Sequence, residues 1–596
     1  MSTHQTRALA LDQLPNETCR ILQLDGHTVA LFNHHGKIYA VDNRCPHMGF
    51  PLERGSVRDG ILTCHWHHAR FDLATGGTFD LFADDVPAFP VEIRDDAIWV
   101  NLEPPRDPRA YNLRRLNDGL KQELPLVIAK TVIAMETLEP EDGKGLKQTF
   151  AAGLEFGARY RRNGWGQGLT MLTCFVNILP RLDSPDQPYG MYQGLSAVAA
   201  DTSGMPPRFP LDPLPGDAPP FATLKRWFRN FVEVRDGEGA ERCIATAVRG
   251  GANDRQLAEM FFAAVTDHRY IQIGHIADFT NKALEALDRA GWDTPRAELV
   301  LSSLAEGYVN ATRQEESNAW RNPIDLIEIL ERAFAELPNV IEKQKSRDVT
   351  EQRSEKRESL VPILLGDEPQ PIADTLLDAL RDGATDEELA GIVAYAAALR
   401  IARFHTSNEF GDWDTALHTF TFANAIHQAI RRVVTDATSS VTIRAELLRG
   451  VFDAAMSIYL DRFLNIPAAK LPELDGANTS PDTLLAELPA LLDRQQRVND
   501  AGACVAHYLD AGGDLARLYA QLGKLLLRED RNFHTIQMIE AAFQQARAQQ
   551  DPSAARNILV AAARYLAAHA PTVRAQGQTY GIAHRLHRGE KLFEET

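Results

Sequence analysis

The chain has 596 residues, 44% of them hydrophobic and 24% charged, with a formal net charge of -18. That length is several domains' worth of an ordinary globular chain, enough to bury a large core. The acidic balance argues against general nucleic-acid binding and against attachment to an anionic membrane surface, which leaves small molecules or basic protein surfaces as partners. The N-terminal stretch Met1–Arg7 leads into no continuous apolar region, so no secretory signal is expected. The longest apolar run, Leu389 to Leu399, is eleven residues, short of the ~20 that cross a bilayer. The expectation is a cytoplasmic protein with no membrane span.

In chain order, Val29–Phe32 and Ile38–Val41 read as apolar strands around a turn at His34–Lys37. Two short loops follow, Cys45-Pro46-His47 and Cys64-His65-Trp66-His67, separated by the sixteen residues Met48 to Thr63. Each loop offers one thiol and one imidazole. The same four residues also suit a mononuclear zinc site. Beyond them come Ala69–Leu73, a turn at Thr75–Gly77, the segment Pro90–Arg94 and a strand at Ala97–Val100, which complete a small all-β module over residues 1 to 103.

The C-x-H and C-x-x-H spacing resembles that of a Rieske iron-sulfur centre, and residues 1–103 resemble Rieske ferredoxin-type domains, the nitrite reductase small subunits and dioxygenase ferredoxins. The resemblance implies one [2Fe-2S] cluster with Cys45 and Cys64 on one iron and His47 and His67 on the other, acting as a one-electron relay. High-potential respiratory members carry an extra cysteine in each ligand loop and a serine that hydrogen-bonds the cluster. Here Phe50, Trp66 and Ala69 stand at those places. Their loss implies a potential toward the low end of the Rieske range, about -150 mV, with electrons supplied by a flavin- or NAD(P)H-linked reductase. His65 and His68 are expected to be surface residues bordering the cluster. The other cysteines, Cys19, Cys174, Cys243 and Cys504, are expected to be reduced buried thiols.

Pro104–Pro108 breaks the pattern, and residues 104–122 read as a linker. From 123 onward apolar stripes recur at helical spacing, as at Leu257, Phe261, Ala264, Val265 and His268. The fold class expected is a small all-β Rieske domain followed by a large all-α domain. Residues 203–220 hold seven prolines in eighteen positions, which predicts an extended loop. Residues 341–359 hold eleven charged residues in nineteen and read as a solvated helix or linker between a first helical half, 123–340, and a second, 360–596.

The two halves read as an internal duplication, a helical repeat. Gly251–Ala258 parallels Gly383–Ala390, each with a capping-box pattern. His275–Asn281 parallels His418–Asn424 as H-x-x-x-F-x-N, and Arg-Ala-Glu-Leu recurs at 296 and 444. If the duplicated helices face each other, His275 and Asn281 converge with His418 and Asn424 on one cavity between helices. The second copy adds His405–Asp414, and on a helix His405 and Glu409 would share a face able to hold a second metal. His275, His418, His405 and Glu409 are therefore the catalytic candidates, with His268, His427 and Asp412 behind them.

A terminal Rieske oxygenase would carry a D-x-x-H-x-x-x-x-H triad, and no such spacing occurs among the eighteen histidines. The stretch Asp267–Ile271 with Gly274, His275 and Phe279 resembles helical proteins of the questin-oxidase type, which implies oxygen-dependent ring chemistry. The leading expectation is an oxidoreductase whose cluster passes single electrons to a helical domain that binds a small organic substrate, as an oxygenase. The alternatives are a ferredoxin whose helical domain is a non-catalytic docking scaffold, and a redox sensor.

Overall fold

The computed structural model describes residues 5–103, 107–344, 353–434, 440–473, 479–590 and 592. They fall into two compact units, Met1–Gly153 with Gln576–Thr596, and Leu154–Ala575.

The first unit is built on ten short strands, β1 (Gln5–Ala10), β2 (Thr18–Leu24), β3 (His27–His34), β4 (Lys37–Asp42), β5 (Ser56–Arg58), β6 (Ile61–Thr63), β7 (Arg70–Asp72), β8 (Ala88–Phe89), β9 (Val91–Arg94) and β10 (Ala97–Asn101). They form three antiparallel sheets ordered β1-β10-β9, β2-β3-β4-β8 and β5-β6-β7. Successive side chains of a strand point to opposite faces, and β3 uses both. Ala30 and Phe32 enter a core with Cys45, Leu62, Cys64 and Phe71, while Val29 and Leu31 enter a second core with Ile98 and Val100.

This unit extends past the β module. Within the expected linker, Pro108–Lys121 is a helix. Asp107 caps it by accepting from the N–H groups of Arg109 and Ala110, and Pro108 occupies the first turn, where a missing N–H costs nothing. The proline that reads as a break is thus a helix start. Its buried face presents Leu116 and Leu120, and Arg115 pairs with Asp84 at 2.9 Å. The helices Pro125–Leu138 and Ala575–His587 belong to the same unit. Arg44 donates to the carbonyls of Leu586 (2.7 Å) and Glu590 (2.8 Å), at the carboxyl end of the latter helix.

The second unit is all-helical among its described residues. The loop between the helices Gln187–Thr202 and Phe221–Glu233 carries no regular element, as its prolines require. It is tied down where the Leu211 N–H donates to Glu241 and the Leu214 N–H to Thr246. Both capping boxes form: Asn253 with Gln256 opens the helix Asp254–Val265, and Thr385 with Glu388 opens Asp386–Ala402. Of the charged stretch 341–359, residues 345–352 lie outside the described residues. No helix of the described residues is long and apolar enough to cross a membrane. The described cysteines are all free.

Two turn glycines of the β module separate backbone strain from collision. Gly60 (φ +77°) has open space where a Cβ would stand, whereas at Gly76 (φ +74°) a Cβ would sit 1.9 Å from the Val86 carbonyl oxygen. Gly60→Ala is expected to destabilise the first unit by about 1–2 kcal/mol, the left-handed penalty alone. Gly76→Ala should cost clearly more, read as a larger drop in the unfolding midpoint of the full chain.

Candidate functional site

The two ligand loops leave the sheets in the same way. The first runs between β4 and β5 and is closed by Cys45 N–H donating to the Phe50 carbonyl at 2.8 Å. The second joins β6 to β7 and is closed by Cys64 N–H donating to the Ala69 carbonyl at 2.9 Å. Four residues after each cysteine the backbone turns left-handed, at Gly49 (φ +82°) and at His68 (φ +61°). His68 therefore serves the turn, and it is exposed. His65 is exposed too and meets the Ser56 hydroxyl at 3.0 Å.

These turns bring the four residues together. Cys45 and Cys64 are buried in one core, with their thiols in hydrogen-bond contact, and the His47 and His67 rings lie 4.9 Å apart and nearly perpendicular. Backbone N–H groups of His47 and Met48 are directed at the Cys45 sulfur, and those of Trp66 and His67 at Cys64. Such donors favour thiolate. The Cys64 thiol is brought down to about 6, first by its hydrogen bond from Cys45 and then by these N–H groups. Burial, with Lys130 and His67 adding to it, lowers His47 to about 4, so its ring is neutral as a metal donor must be. The His47 Nδ1 is buried with no hydrogen-bond partner among the described residues. An orphaned ring nitrogen beside two thiol groups fits a [2Fe-2S] cluster, which consumes both sulfurs and one nitrogen of each ring.

A second cluster lies in the all-helical unit. The helices His275–Ala290 and Phe410–Val433 pack against each other, and both contact Phe533–Ala548. The His275 and His418 rings come within 4.6 Å. His534 joins them, its ring 4.9 Å from that of His418, with the two Nε2 atoms 3.0 Å apart. One donor atom from each of the three histidines lies within 4.8 Å of the others. Burial first, and the neighbouring rings second, lower His275 to about 4 and His418 to about 3. Behind His534, Asp414 Oδ2 stands 3.2 Å from Nδ1, and the Tyr565 hydroxyl donates to the other Asp414 oxygen at 2.5 Å.

Local backbone places His275. Tyr270, Gln272 and Ile273 all have positive φ (41°, 50° and 47°), and Gly274 follows at +90°. A β-branched residue such as Ile273 pays heavily for that conformation. The segment is held by Gln272 N–H donating to the Thr312 carbonyl at 2.7 Å and Thr312 N–H donating to the Gln272 side chain at 2.8 Å. At Gly274 a Cβ would lie 2.9 Å from the Phe422 Cβ, so glycine is what lets the two helices approach.

One and two helical turns below His275 and His534, a polar seam links their helices. Gln537 donates to Asp278, and Lys282 Nζ reaches Glu540 at 2.6 Å and Glu285 at 2.9 Å. Asn177 donates to both glutamates, at 2.7 and 2.9 Å.

Several expectations fail against these positions. His405 and Glu409 do not share a helical face: His405 sits in the loop before the Phe410–Val433 helix and pairs with Ser407, while Glu409 caps that helix. His405 is half-buried and Glu409 exposed, and the cap that Glu409 forms ends the helix before it can reach His405. Asp412 completes the same capping box. Asn281 and Asn424 do not reach the histidines: Asn281 donates to Glu285, and Asn424 accepts from Gln545. His268 lies between Glu233 and Glu315, and His427 meets Gln545. His534 was not singled out by the sequence reading, because it lies outside the repeated segments and a lone histidine carries no spacing signal, and Asp414 entered it only as the last residue of the 405–414 stretch.

Comparison with known proteins bears on the first unit. A family model described as the Rieske [2Fe-2S] domain matches residues 4–90. The chain is 31% identical over 94 residues to the 3-phenylpropionate/cinnamic acid dioxygenase ferredoxin subunit of Photorhabdus laumondii, covering 15% of this chain and 89% of that protein. It is 28% identical over 104 residues to the ferredoxin component of the naphthalene 1,2-dioxygenase/salicylate 5-hydroxylase systems of a Ralstonia species, covering 17% and 100%. With human apoptosis-inducing factor 3 it shares 33% identity over 88 residues, 15% of this chain, and spans only 14% of that relative's length. Among solved structures, the ferredoxin of carbazole 1,9a-dioxygenase from Nocardioides aromaticivorans is 27% identical, with 17% of this chain and 98% of that chain covered at a TM-score of 0.16. The loop geometry, the family model and the sequence match to the dioxygenase ferredoxin subunit together make the chain, through residues 4–90, a member of the Rieske [2Fe-2S] family, homologous to the dioxygenase ferredoxins.

Proposed function

We propose that this protein is an oxidoreductase in which the Rieske module passes single electrons to a transition-metal centre held by His275, His418 and His534, where a small organic substrate is oxidised in an oxygenase-type reaction. The observation that carries the proposal is the convergence of three imidazoles from three helices, with a carboxylate behind one of them. Metal–nitrogen bonds of about 2.0–2.1 Å place cis nitrogens about 3 Å apart in an octahedral site, and the His418 and His534 Nε2 atoms are 3.0 Å apart. Asp414 sits where a carboxylate orients a ligating ring and raises its basicity. Three protein ligands leave open coordination positions, the arrangement of a catalytic rather than a structural site.

When bound, the [2Fe-2S] cluster supplies one-electron chemistry. Cys45, His47, Cys64 and His67 would hold it, with the buried core behind the thiols keeping water from the sulfurs. In the second unit, Phe279 and Phe533 flank His275, at ring distances of 5.5 and 5.8 Å, and give the site an apolar wall suited to an organic substrate. Electrons would come from a flavin- or NAD(P)H-linked reductase, and the free thiols fit a reducing, cytoplasmic compartment.

Elemental analysis of the purified full chain should give about two irons and two acid-labile sulfides from the cluster, plus about one further metal. His275→Ala, His418→Ala and His534→Ala are each expected to lose that further metal while keeping sulfide and the Rieske EPR signal. His405→Ala should keep it. Asp414→Asn should weaken it by about 10–100-fold in a chelator competition. Stoichiometric zinc without sulfide would refute the cluster, and a metal content unchanged by the three histidine variants would refute the second centre.

A further inference from the structure

The first ligand loop carries a feature that a one-electron relay does not by itself require. Lys130, on the helix Pro125–Leu138, donates from Nζ to the carbonyl oxygens of Pro46 (2.5 Å) and His47 (3.0 Å). Those oxygens belong to the two peptide groups whose N–H ends, on His47 and Met48, are directed at the Cys45 sulfur. Each peptide thus has a cation at its oxygen and a sulfur at its hydrogen.

Hydrogen-bonded groups in series polarise one another, and in a low dielectric the effect is larger. The ammonium is shielded from water, with 16% of its side chain exposed. The carboxylate facing it is Asp84, 3.2 Å away, and Asp84 is shared with Arg115 at 2.9 Å, which also reaches Asp118 at 3.2 Å. The remaining nearby cation, Arg44, is committed to the carbonyls of Leu586 and Glu590, with its N–H on Asp42. Asp84 is therefore divided between two cations, while the two carbonyls take the other donors of the Lys130 ammonium.

We infer that Lys130 is a positioning residue that raises the reduction potential of the [2Fe-2S] cluster, by polarising the two peptide groups that donate to the Cys45 sulfur. Hydrogen bonds to the sulfurs and positive charge both favour the more negative reduced state. The second ligand loop lacks the hydroxyl donor that the resemblance gives to high-potential members, Ala69 standing in its place. Backbone donors strengthened by Lys130 substitute for it. The potential consequently lies above the low end of the Rieske range that the sequence alone implies.

The test is a redox titration of the full chain followed by EPR, with iron and sulfide measured in every sample. Lys130→Met, Lys130→Gln and Lys130→Arg are compared with wild type and with Lys121→Met, a change at an exposed lysine. For Lys130→Met the ratio of reduced to oxidised cluster at a fixed applied potential should fall about tenfold, 59 mV for a one-electron couple. Lys130→Gln keeps donors to the two carbonyls without the charge, so it should also fall. Lys130→Arg and Lys121→Met should stay at the wild-type value. An unchanged midpoint in loaded Lys130→Gln, or an equal fall in Lys130→Arg, overturns the inference. The glutamine and arginine variants decide the matter even if the methionine variant fails to hold the cluster.

Discussion

Between β4 and β5 the chain must leave its sheet, turn back within five residues and still bury its cysteine. Every inward N–H and C=O of that turn loses a ladder partner, and an unpaired buried backbone group costs about as much as a lost hydrogen bond. The loop meets this constraint by closing on itself through Cys45 and Phe50 and by aiming two N–H groups at sulfur. The opposite ends of those peptides are then satisfied from outside the β module, by Lys130. A cluster-binding turn of this kind is stable only with its donors and acceptors both accounted for. The helix that carries Lys130 accordingly belongs to the same compact unit as the strands.

The second unit obeys the same constraint with charges in place of backbone. Lys282, Glu285, Glu540 and Asp278 are desolvated together, and a single unpaired member would be costly. Buried ion pairs of this sort add little net stability. Their geometric consequence is larger. With Asp278 matched to Gln537 and Lys282 to Glu540, the two helices have a fixed register, and one turn above it His275 and His534 stand at the same level. The left-handed run before His275 is an additional local cost, which the Thr312 and Phe422 contacts over-determine.

Both candidate centres are thus made by loops or helix ends held against a rigid layer behind them. In the first, burial keeps His47 neutral and backbone N–H groups are aimed at both sulfurs before any metal arrives. In the second, burial keeps His275 and His418 neutral, and Asp414 with Tyr565 fixes the ring of His534. Preorganisation of this type lowers the cost of assembling a site when its ligand binds.

The sequence by itself singled out Cys45, His47, Cys64 and His67, because a Rieske centre is a local object: two short loops of fixed spacing, each closed by its own backbone hydrogen bond. It also determined the change from period-two to helical patterning and the proline-rich loop, since both follow from backbone geometry within a few residues. It brought His275 and His418 to attention through their shared H-x-x-x-F-x-N pattern. Only tertiary structure decided the rest. His534 reaches His275 and His418 across long sequence separations, and Asp414, one turn before His418 on the same helix, meets His534; no spacing rule encodes a contact made by packing three helices. His405 and Glu409 were misjudged because a helical face was assumed where Glu409 instead caps the next helix. Lys130 reads in sequence as an ordinary polar position on an apolar helix. Its role depends on a carbonyl pair 83 and 84 residues away, brought under its ammonium by the desolvation of the loop that carries them.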